Sequence, residues 1–273
     1  MPEPAARGAV TVLGHVSDLH LDGSPEGHRR AALAAGYLAS LAGRIDGVLV
    51  SGDISDRAAR GTPAARAAAA DYAAARELFD ALPVPTVFAP GNHDERTAFA
   101  AVLLDRAGHE PGEPIDQLLD VGGVRLAVLD SVVPGEAYGC LRPSTLEWLD
   151  AALSAAPGIP ALVALHHPPV RLGLPMTDPI GLRDAGGLRR VISRHPHAAA
   201  ILCGHAHAAA SGCFAGRPVR VAPGVRSSAV LPWETCAGNM RADVPVGVSV
   251  HLIEGGDVTT HVRYLEREER HSR

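Results

Sequence analysis

The feature that most constrains the fold is an alternation of short apolar segments with longer helical stretches through the first three quarters of the chain. Apolar runs typical of strands occur at residues 10–16, 47–50, 86–89, 125–129, 161–165 and 198–202. Stretches typical of helices occur between them, at residues 28–42, 63–81, 143–155 and 182–194. Strands that alternate with helices indicate crossover connections onto a sheet, so the pattern predicts an α/β fold.

The pattern changes near Pro218, where extended segments replace the alternation. These segments are residues 219–222, 247–252 and 258–264, and turn-forming sequences separate them. They predict antiparallel strands that close a second sheet. Because no linker divides the chain and no segment repeats, we expect residues 1–273 to form a single domain whose charged C-terminus frays from about residue 266.

Composition narrows the class of protein. Hydrophobic residues make up 47% of the chain and charged residues 20%, a balance that supports a sizeable core and excludes a disordered chain. The net charge is −5 and the basic residues are all arginine. These arginines form no basic stripe, so we expect no nucleic-acid duplex as a partner.

No segment approaches the roughly 18 apolar residues of a membrane span, and the four cysteines form no Cys-x-x-Cys pair. We therefore expect a cytoplasmic protein without a membrane span, and a homodimer is left open.

Five polar clusters each follow one of the apolar strand candidates. They are Asp18-Leu19-His20, Gly52-Asp53, Gly91-Asn92-His93-Asp94, His166-His167 and Gly204-His205-Ala206-His207. The carboxyl ends of strands open onto the binding crevice of an α/β fold, so clusters that are distant in sequence converge there. Any one cluster alone is typical of a solvated turn. All five in this order, each behind a strand, indicate a shared site.

The residue types in these clusters indicate metal chemistry. Carboxylate, imidazole and amide oxygen without thiolate suit Mn, Fe or Zn in a catalytic site and disfavour a structural zinc site. In Asp18-x-His20 and His205-x-His207 the two side chains are two residues apart, and an extended backbone places such residues on the same face. Each pair can therefore flank one group of cations.

The ordered set resembles the signature of the calcineurin-like metallophosphoesterases, which reads Asp-x-His, Gly-Asp, Gly-Asn-His-(Asp/Glu), His, Gly-His-x-His. The resemblance extends from Asp18 to His207. It implies a two-sheet β-sandwich flanked by helices on both sides, an αββα arrangement of the α/β class, with two divalent or mixed-valence metal ions at the strand ends.

The resemblance also implies a role for each matching residue. It implies a first metal ion bound by Asp18, His20 and His207, and a second bound by Asn92, His166 and His205. Asp53 matches the carboxylate that bridges the two ions. His93 matches the family's catalytic histidine, which is not a ligand and either stabilises the transition-state charge or donates a proton to the departing alkoxide.

Three further residues in or beside the clusters have open roles: His167, Asp56 and Asp94. We favour His166 over His167 as the ligand because His166 directly follows the strand and Pro168-Pro169 then turns the chain. Asp56 and Asp94 are candidates for orienting a ligand histidine, and an exposed capping role is an equal alternative for each.

Departures from the signature separate the chain from three subgroups. Protein serine/threonine phosphatases carry an arginine where this chain has Pro90, and purple acid phosphatases carry a tyrosine ligand where it has Asp56. Repair nucleases carry a histidine shortly after Gly-Asp, whereas residues 54–57 here read Ile-Ser-Asp-Arg. These differences disfavour a phosphoprotein substrate, a ferric–tyrosinate centre and a DNA substrate.

Residues 52–57, 134–139, 166–169 and 180–184 resemble most closely the bacterial class III cyclic-nucleotide phosphodiesterases, a group that also contains glycerophosphodiesterases. This resemblance implies hydrolysis of small phosphodiesters of the 3′,5′-cyclic AMP type, by attack of a water molecule that two metal ions activate. The alternatives are a glycerophosphodiesterase or a broad-specificity phosphomonoesterase. A non-catalytic metal-binding scaffold is a more distant alternative, because every ligand position of the signature is filled.

Overall fold

The structure, a computed structural model, describes residues 10–57, 64–235 and 238–266. Within these ranges the helices are α1 (Pro25–Ser40), α2 (Ala64–Asp80), α3 (Arg96–Leu103), α4 (Pro143–Ser154) and α5 (Gly186–Arg194). The strands are β1 (Val10–Val16), β2 (Gly47–Val50), β3 (Thr86–Phe88), β4 (Gln117–Val121), β5 (Val124–Leu129), β6 (Gly139–Cys140), β7 (Ala161–Leu165), β8 (Leu182–Arg183), β9 (Ala198–Cys203), β10 (Ala210–Phe214), β11 (Arg217–Val221), β12 (Ser228–Ala229), β13 (Met240–Arg241), β14 (Val246–Glu254) and β15 (Asp257–Leu265). The C-terminal segment for which fraying was predicted lies almost entirely outside the described residues.

Two large mixed sheets carry the fold. The first has the strand order β15-β14-β1-β2-β3, in which β1, β2 and β3 run parallel and β14 pairs antiparallel with β1. The second has the order β10-β11-β9-β7-β5-β4, in which β5, β7, β9 and β11 run parallel. The second sheet therefore has a parallel centre with antiparallel pairing at both edges, whereas the first has antiparallel pairing only at its β14–β15 edge.

The two sheets pack against each other, and helices cover their outer faces. Side chains of both sheets, such as Leu49 of β2 and Leu126 of β5, share one buried cluster. A second cluster joins the first sheet to α1, α2 and α3, and a third joins the second sheet to α4 and α5. This layering confirms the predicted α/β class and the αββα sandwich.

Local sequence explains where the helix α1 begins. Ser24 is its N-cap and accepts a hydrogen bond from the backbone N–H of Gly27, and Pro25 occupies the first turn. These signals start the helix three residues before the predicted position 28. Residues of α1 at helical spacing, among them Ala31, Ala34 and Leu38, are fully buried.

The C-terminal strands differ from the prediction. Residues 219–222, 247–252 and 258–264 were expected to close a second sheet together. Instead β14 and β15 extend the first sheet, with Val10 of β1 opposite Glu254 of β14, while β11 joins the second sheet parallel to β9. An apolar pattern identifies a strand, but the neighbour with which it pairs is set by contacts distant in sequence.

Some elements were predicted with wrong bounds or not predicted. The helix expected over residues 182–194 begins only at Gly186, because Leu182 and Arg183 form β8 and pair with β6. Helix α3 and the strands β4 and β10 were not predicted. In the described parts of the chain, no helix combines the length and apolarity that a membrane crossing requires.

Candidate metal centre

The loops that follow β1, β2, β3, β7 and β9 come together, so the structure unites all five predicted clusters. The backbone N–H of Asp18 donates to the Gly52 carbonyl at 3.0 Å, and the N–H of His205 donates to Oδ2 of Asp18 at 3.1 Å. A Cβ atom added to Gly91 would lie 2.2 Å from Oδ1 of Asp53. Glycine at position 91 is therefore required for the close approach of the third loop to the second.

Five of the predicted ligands have backbone in the left-handed region. Their φ angles are 55° at Asp18, 41° at His20, 52° at Asp53, 67° at His205 and 50° at His207. Such conformations cost free energy for residues with a Cβ, and they concentrate at functional sites. The loops are thus held in conformations that local propensity disfavours, and these conformations bring the five side chains together.

One group of side chains contains Asp18, His20 and His207. The Nε2 atoms of His20 and His207 are 3.0 Å apart, and Nε2 of His207 is 3.4 Å from Oδ1 of Asp18. On its far side, Nδ1 of His207 lies 3.0 Å from the hydroxyl of Ser227. That contact orients the imidazole with Nε2 toward the other two side chains.

A second group centres on Asp53 and His166. Oδ2 of Asp53 lies 3.3 Å from Nε2 of His166 and 3.5 Å from Nε2 of His20 in the first group. Nδ1 of His166 donates to the backbone carbonyl of Ser51 at 2.7 Å, so in the neutral imidazole Nε2 is the atom available as a ligand. Nδ1 of His205 is 3.3 Å from the same Nε2. Asp53 is therefore placed between the two groups.

Unpartnered atoms show that these residues fit cations. Oδ1 of Asp18, Oδ1 of Asn92 and Nε2 of His205 are buried and have no hydrogen-bond partner within the described ranges. A buried polar atom without a partner costs roughly 1–3 kcal/mol, and a bound cation removes that cost. Ligand atoms of Asp18, Asp53 and His166 lie within 4.8 Å of one another, as do those of Asp18, His20 and His207. The donor set is carboxylate, imidazole and amide, which suits Mn, Fe or Zn.

Charge in the site is concentrated on Asp53 and His166. Burial alone would raise the pKa of the Asp53 carboxyl, but His166 and then His20 outweigh it and hold that pKa well below its ordinary value. Burial opposes protonation of His166, yet the Asp53 carboxylate prevails and raises the pKa of His166 to about 9. Burial lowers the pKa values of His205 and His207. Imidazole binds a metal only when neutral, so His166 would have to lose this proton to act as a ligand.

His167 is buried beside His166 but uses both ring nitrogens elsewhere. Its Nδ1 lies 2.8 Å from the hydroxyl of Ser131, and its Nε2 lies 3.2 Å from the carbonyl oxygen of Ala137. Nε2–H donates to that carbonyl, so Nδ1 accepts from the hydroxyl. Burial lowers the pKa of His167 to about 3 and keeps it neutral. These contacts favour His166 over His167 as the ligand.

His93 borders the centre and contacts the cavity. Its backbone N–H donates to Oδ1 of Asp53 at 2.9 Å, and its side chain is 29% exposed. Burial lowers the pKa of His93, but the adjacent Asp56 carboxylate and the charge of Asp53 outweigh burial and raise it. Oδ1 of Asp56 also contacts Nδ1 of His20 at 3.3 Å. Asp56 thus orients a candidate ligand, which is one of the two roles predicted for it.

Asp94 has neither of its two predicted roles. Its carboxylate is buried and accepts hydrogen bonds from the backbone N–H groups of Gly91, Ile54 and Ser55. Burial and then the nearby Asp53 raise the pKa of Asp94 to about 6. The carboxylate therefore holds the loop after β2 against the loop after β3, and it neither orients a histidine nor caps an exposed turn.

The centre opens into a cavity of about 460 Å³. Its described lining includes candidate metal-site residues and also Met176, Ile180, Arg226, Ser227 and Met240. Sequence reasoning did not predict roles for Ser51, Ser227 or Arg226. The Ser51 contact uses a backbone carbonyl, which any residue supplies, and the other two residues belong to a loop without a recognisable motif.

Comparisons with known proteins identify the family of the chain. Residues 11–209 match the family model described as calcineurin-like phosphoesterase. The chain is 35% identical over 222 residues to a cAMP/cGMP dual specificity phosphodiesterase of Mycobacterium tuberculosis (strain CDC 1551 / Oshkosh), covering 77% of this chain and 66% of the relative. It is 34% identical over 206 residues to the glycerophosphodiester phosphodiesterase GpdQ of Enterobacter lignolyticus (strain SCF1), covering 72% and 70%. The match spans just under two thirds of the first relative's length.

A solved structure supports the fold independently. The chain superposes on a dimetal phosphatase from Danio rerio with a TM-score of 0.66, covering 93% of this chain and 99% of that one. The two are 15% identical, so this likeness concerns the fold alone. The predicted family is confirmed by the family model, the relatives and the αββα sandwich: the chain belongs to the calcineurin-like phosphoesterase family.

Proposed function

We propose that the chain is a metal-dependent hydrolase of small phosphodiesters, with cyclic nucleotides of the 3′,5′-cyclic AMP type as the preferred class. The observation that carries the proposal is the set of buried, unpartnered ligand atoms of Asp18, Asn92 and His205 around the Asp53 carboxylate. Membership of the family and the phosphodiesterase activities named for the relatives support a phosphoric diester hydrolase.

The proposal assigns the seven predicted ligands to two cations. Asp18, His20 and His207 would hold the first ion and Asn92, His166 and His205 the second, with Asp53, which lies between the two groups, shared by both. The ions, when bound, lower the pKa of a water molecule and neutralise charge on the phosphate. The donor types favour Mn, Fe or Zn.

His93 is the proposed catalytic residue. Its Nδ1 faces Asp56, so Nε2 is the atom available to a substrate. Contacts with Asp56 and Asp53 favour the protonated imidazole. His93 thus holds a proton that it either donates to the departing alkoxide or uses to stabilise charge on the phosphoryl group.

A second candidate activity is hydrolysis of glycerophosphodiesters, which the 34% identity to GpdQ favours. The two activities differ in the organic group that the cavity accepts. Side-by-side assays of manganese-loaded protein with 3′,5′-cyclic AMP, 2′,3′-cyclic AMP, a glycerophosphodiester, a phosphomonoester and bis(p-nitrophenyl) phosphate distinguish them. We expect the highest kcat/KM for a diester. Hydrolysis of none of these esters would favour the non-catalytic scaffold.

Three properties predicted from the sequence stay predictions. We propose that the chain forms one domain, which the buried cluster shared by both sheets supports. A cytoplasmic location is supported by the free thiols of Cys140, Cys203 and Cys213. Homodimer formation is tested by sedimentation of the purified protein.

A further inference from the structure

A short segment, residues 224–227, contacts candidate ligands of the metal centre and contributes Arg226 and Ser227 to the lining of its cavity. The backbone N–H of Arg226 donates to the carbonyl oxygen of Asp18 at 3.0 Å. One residue later, the hydroxyl of Ser227 contacts Nδ1 of His207 at 3.0 Å. The segment is therefore fixed against two candidate ligands, and the position of the Arg226 backbone is fixed with it.

Arg226 lines the cavity of the centre together with His20, Asp53 and His93. Among the described residues of that lining, Arg226 is the one with a permanent positive charge. Its side chain is 26% exposed, so it is partly desolvated but accessible to a ligand.

Asp22 orients this guanidinium. Oδ2 of Asp22 lies 3.3 Å from an Nη2 of Arg226, and Oδ1 accepts a hydrogen bond from the backbone N–H of Ser24 at 2.9 Å. The carboxylate is thus anchored at both oxygens. One ion pair uses only part of the five N–H donors of a guanidinium.

We propose that Arg226 is a substrate-binding residue that donates a hydrogen bond to a nonbridging oxygen of the phosphate. This inference rests on the proposed function, because it takes a phosphate ester as the ligand of the cavity. A planar guanidinium is suited to phosphate oxygens, and a charge-assisted hydrogen bond of this kind is stronger than a neutral one. Arg226 would thus add a positively charged side chain to the metal ions as a phosphate-binding group. The same cavity is lined by the carboxylates of Asp22, Asp53 and Asp56.

The test measures equilibrium binding and kinetics separately. Inorganic phosphate is titrated by calorimetry into manganese-loaded wild type, Arg226→Gln and Arg226→Lys, and KM and kcat are measured for the best diester. A matched control is Arg194→Gln, which removes an exposed arginine paired with Asp150 at 2.9 Å. Metal content and melting temperature are recorded for every variant.

We expect Arg226→Gln to weaken phosphate binding about 10- to 100-fold and to raise KM by a similar factor, with two metal ions retained. Arg226→Lys should lie between Arg226→Gln and wild type, because it keeps the charge and loses the fork of donors. Arg194→Gln should match wild type. Wild-type phosphate affinity and KM in Arg226→Gln would overturn the inference, and so would loss of a metal ion. Absence of diester hydrolysis by the wild type would instead overturn the proposed function, while the phosphate titration still decides the role of Arg226.

Discussion

Oδ1 of Asp56 lies 3.1 Å from Nδ1 of His93, and the same oxygen contacts His20. One carboxylate thus orients both the proposed catalytic histidine and a proposed ligand. Asp56→Asn keeps the shape of the side chain but removes its charge, so we expect kcat to fall about 10- to 100-fold. Introduced into His93→Ala, the same change should cost less, because one of the two partners through which Asp56 acts is gone and only the contact with His20 remains. Equal losses in both backgrounds would contradict this relationship.

His93→Ala separates metal binding from chemistry. We expect the variant to keep both metal ions and to lose roughly 10²- to 10⁴-fold in kcat on an ester with a basic alkoxide leaving group. p-Nitrophenolate leaves with little help from an acid, so the loss on bis(p-nitrophenyl) phosphate should be smaller. Paired kcat values and metal analysis decide the role. Equal losses on both esters would indicate charge stabilisation, and a lost metal ion would make His93 a ligand.

The neighbours His166 and His167 should respond differently to truncation. His166→Ala removes an imidazole 3.3 Å from Asp53, so we expect loss of a metal ion and of turnover. His167→Ala removes contacts to Ser131 and Ala137, so we expect lower thermal stability with metal content retained. Metal analysis and melting temperatures of the two variants test this order. The reverse order would mean that His167 is the ligand.

A buried histidine pair between strands makes stability depend on pH. Nδ1 of His15 lies 3.0 Å from Nε2 of His251. Burial and then the neighbour lower the pKa of His15, and burial lowers the pKa of His251 to about 3. In the unfolded chain both imidazoles take up protons below about pH 6.5. The free energy of unfolding should therefore fall as the pH drops from about 6.5 to about 3.

The variant His251→Gln removes one of these titrating groups. Between pH 6 and pH 4, its free energy of unfolding should fall by about 1.4 kcal/mol per pH unit less than that of the wild type. Urea titrations in the presence of EDTA measure this without a contribution from bound metal. His261→Gln, at an exposed position of β15, is the matched control. Parallel pH profiles of His251→Gln and wild type would show that the pair does not titrate on unfolding.

Asp53→Ala and Asn92→Ala should each abolish turnover for a different reason. The first removes the carboxylate between the two groups of ligands, so we expect both ions to bind weakly. The second removes one amide oxygen, so we expect a single ion to be lost. Metal stoichiometry and kcat are measured together. Near-wild-type activity with unchanged metal content in either variant would refute its assignment.

The clusters could be predicted because their position is a local property of the sequence. Asp18, Asp53, Asn92, His166 and His205 each follow an apolar strand candidate closely, and the carboxyl ends of parallel strands share an edge. The layering of the sandwich followed from the family resemblance. The apolar runs also identified β1, β2 and β3 of the first sheet and β5, β7 and β9 of the second, but not β4 or β10.

Pairing and support contacts could not be predicted in the same way. The antiparallel pairing of β14 with β1 joins residues more than two hundred positions apart, such as Val10 and Glu254. The sequence left Asp94 two roles, orienting a ligand histidine or capping an exposed turn, because the two backbone segments that it connects are distant in sequence. Arg226 lies in a loop without a motif, and its place in the cavity follows from a backbone hydrogen bond to Asp18.

The central claim is that seven side chains hold two metal ions that share Asp53. Anomalous diffraction from crystals of the manganese-loaded protein tests it most directly. We predict two anomalous peaks, one among Asp18, His20 and His207 and one among Asn92, His166 and His205, with the Asp53 carboxylate contacting both. A single peak, or peaks whose ligands exclude Asp53, would contradict the account.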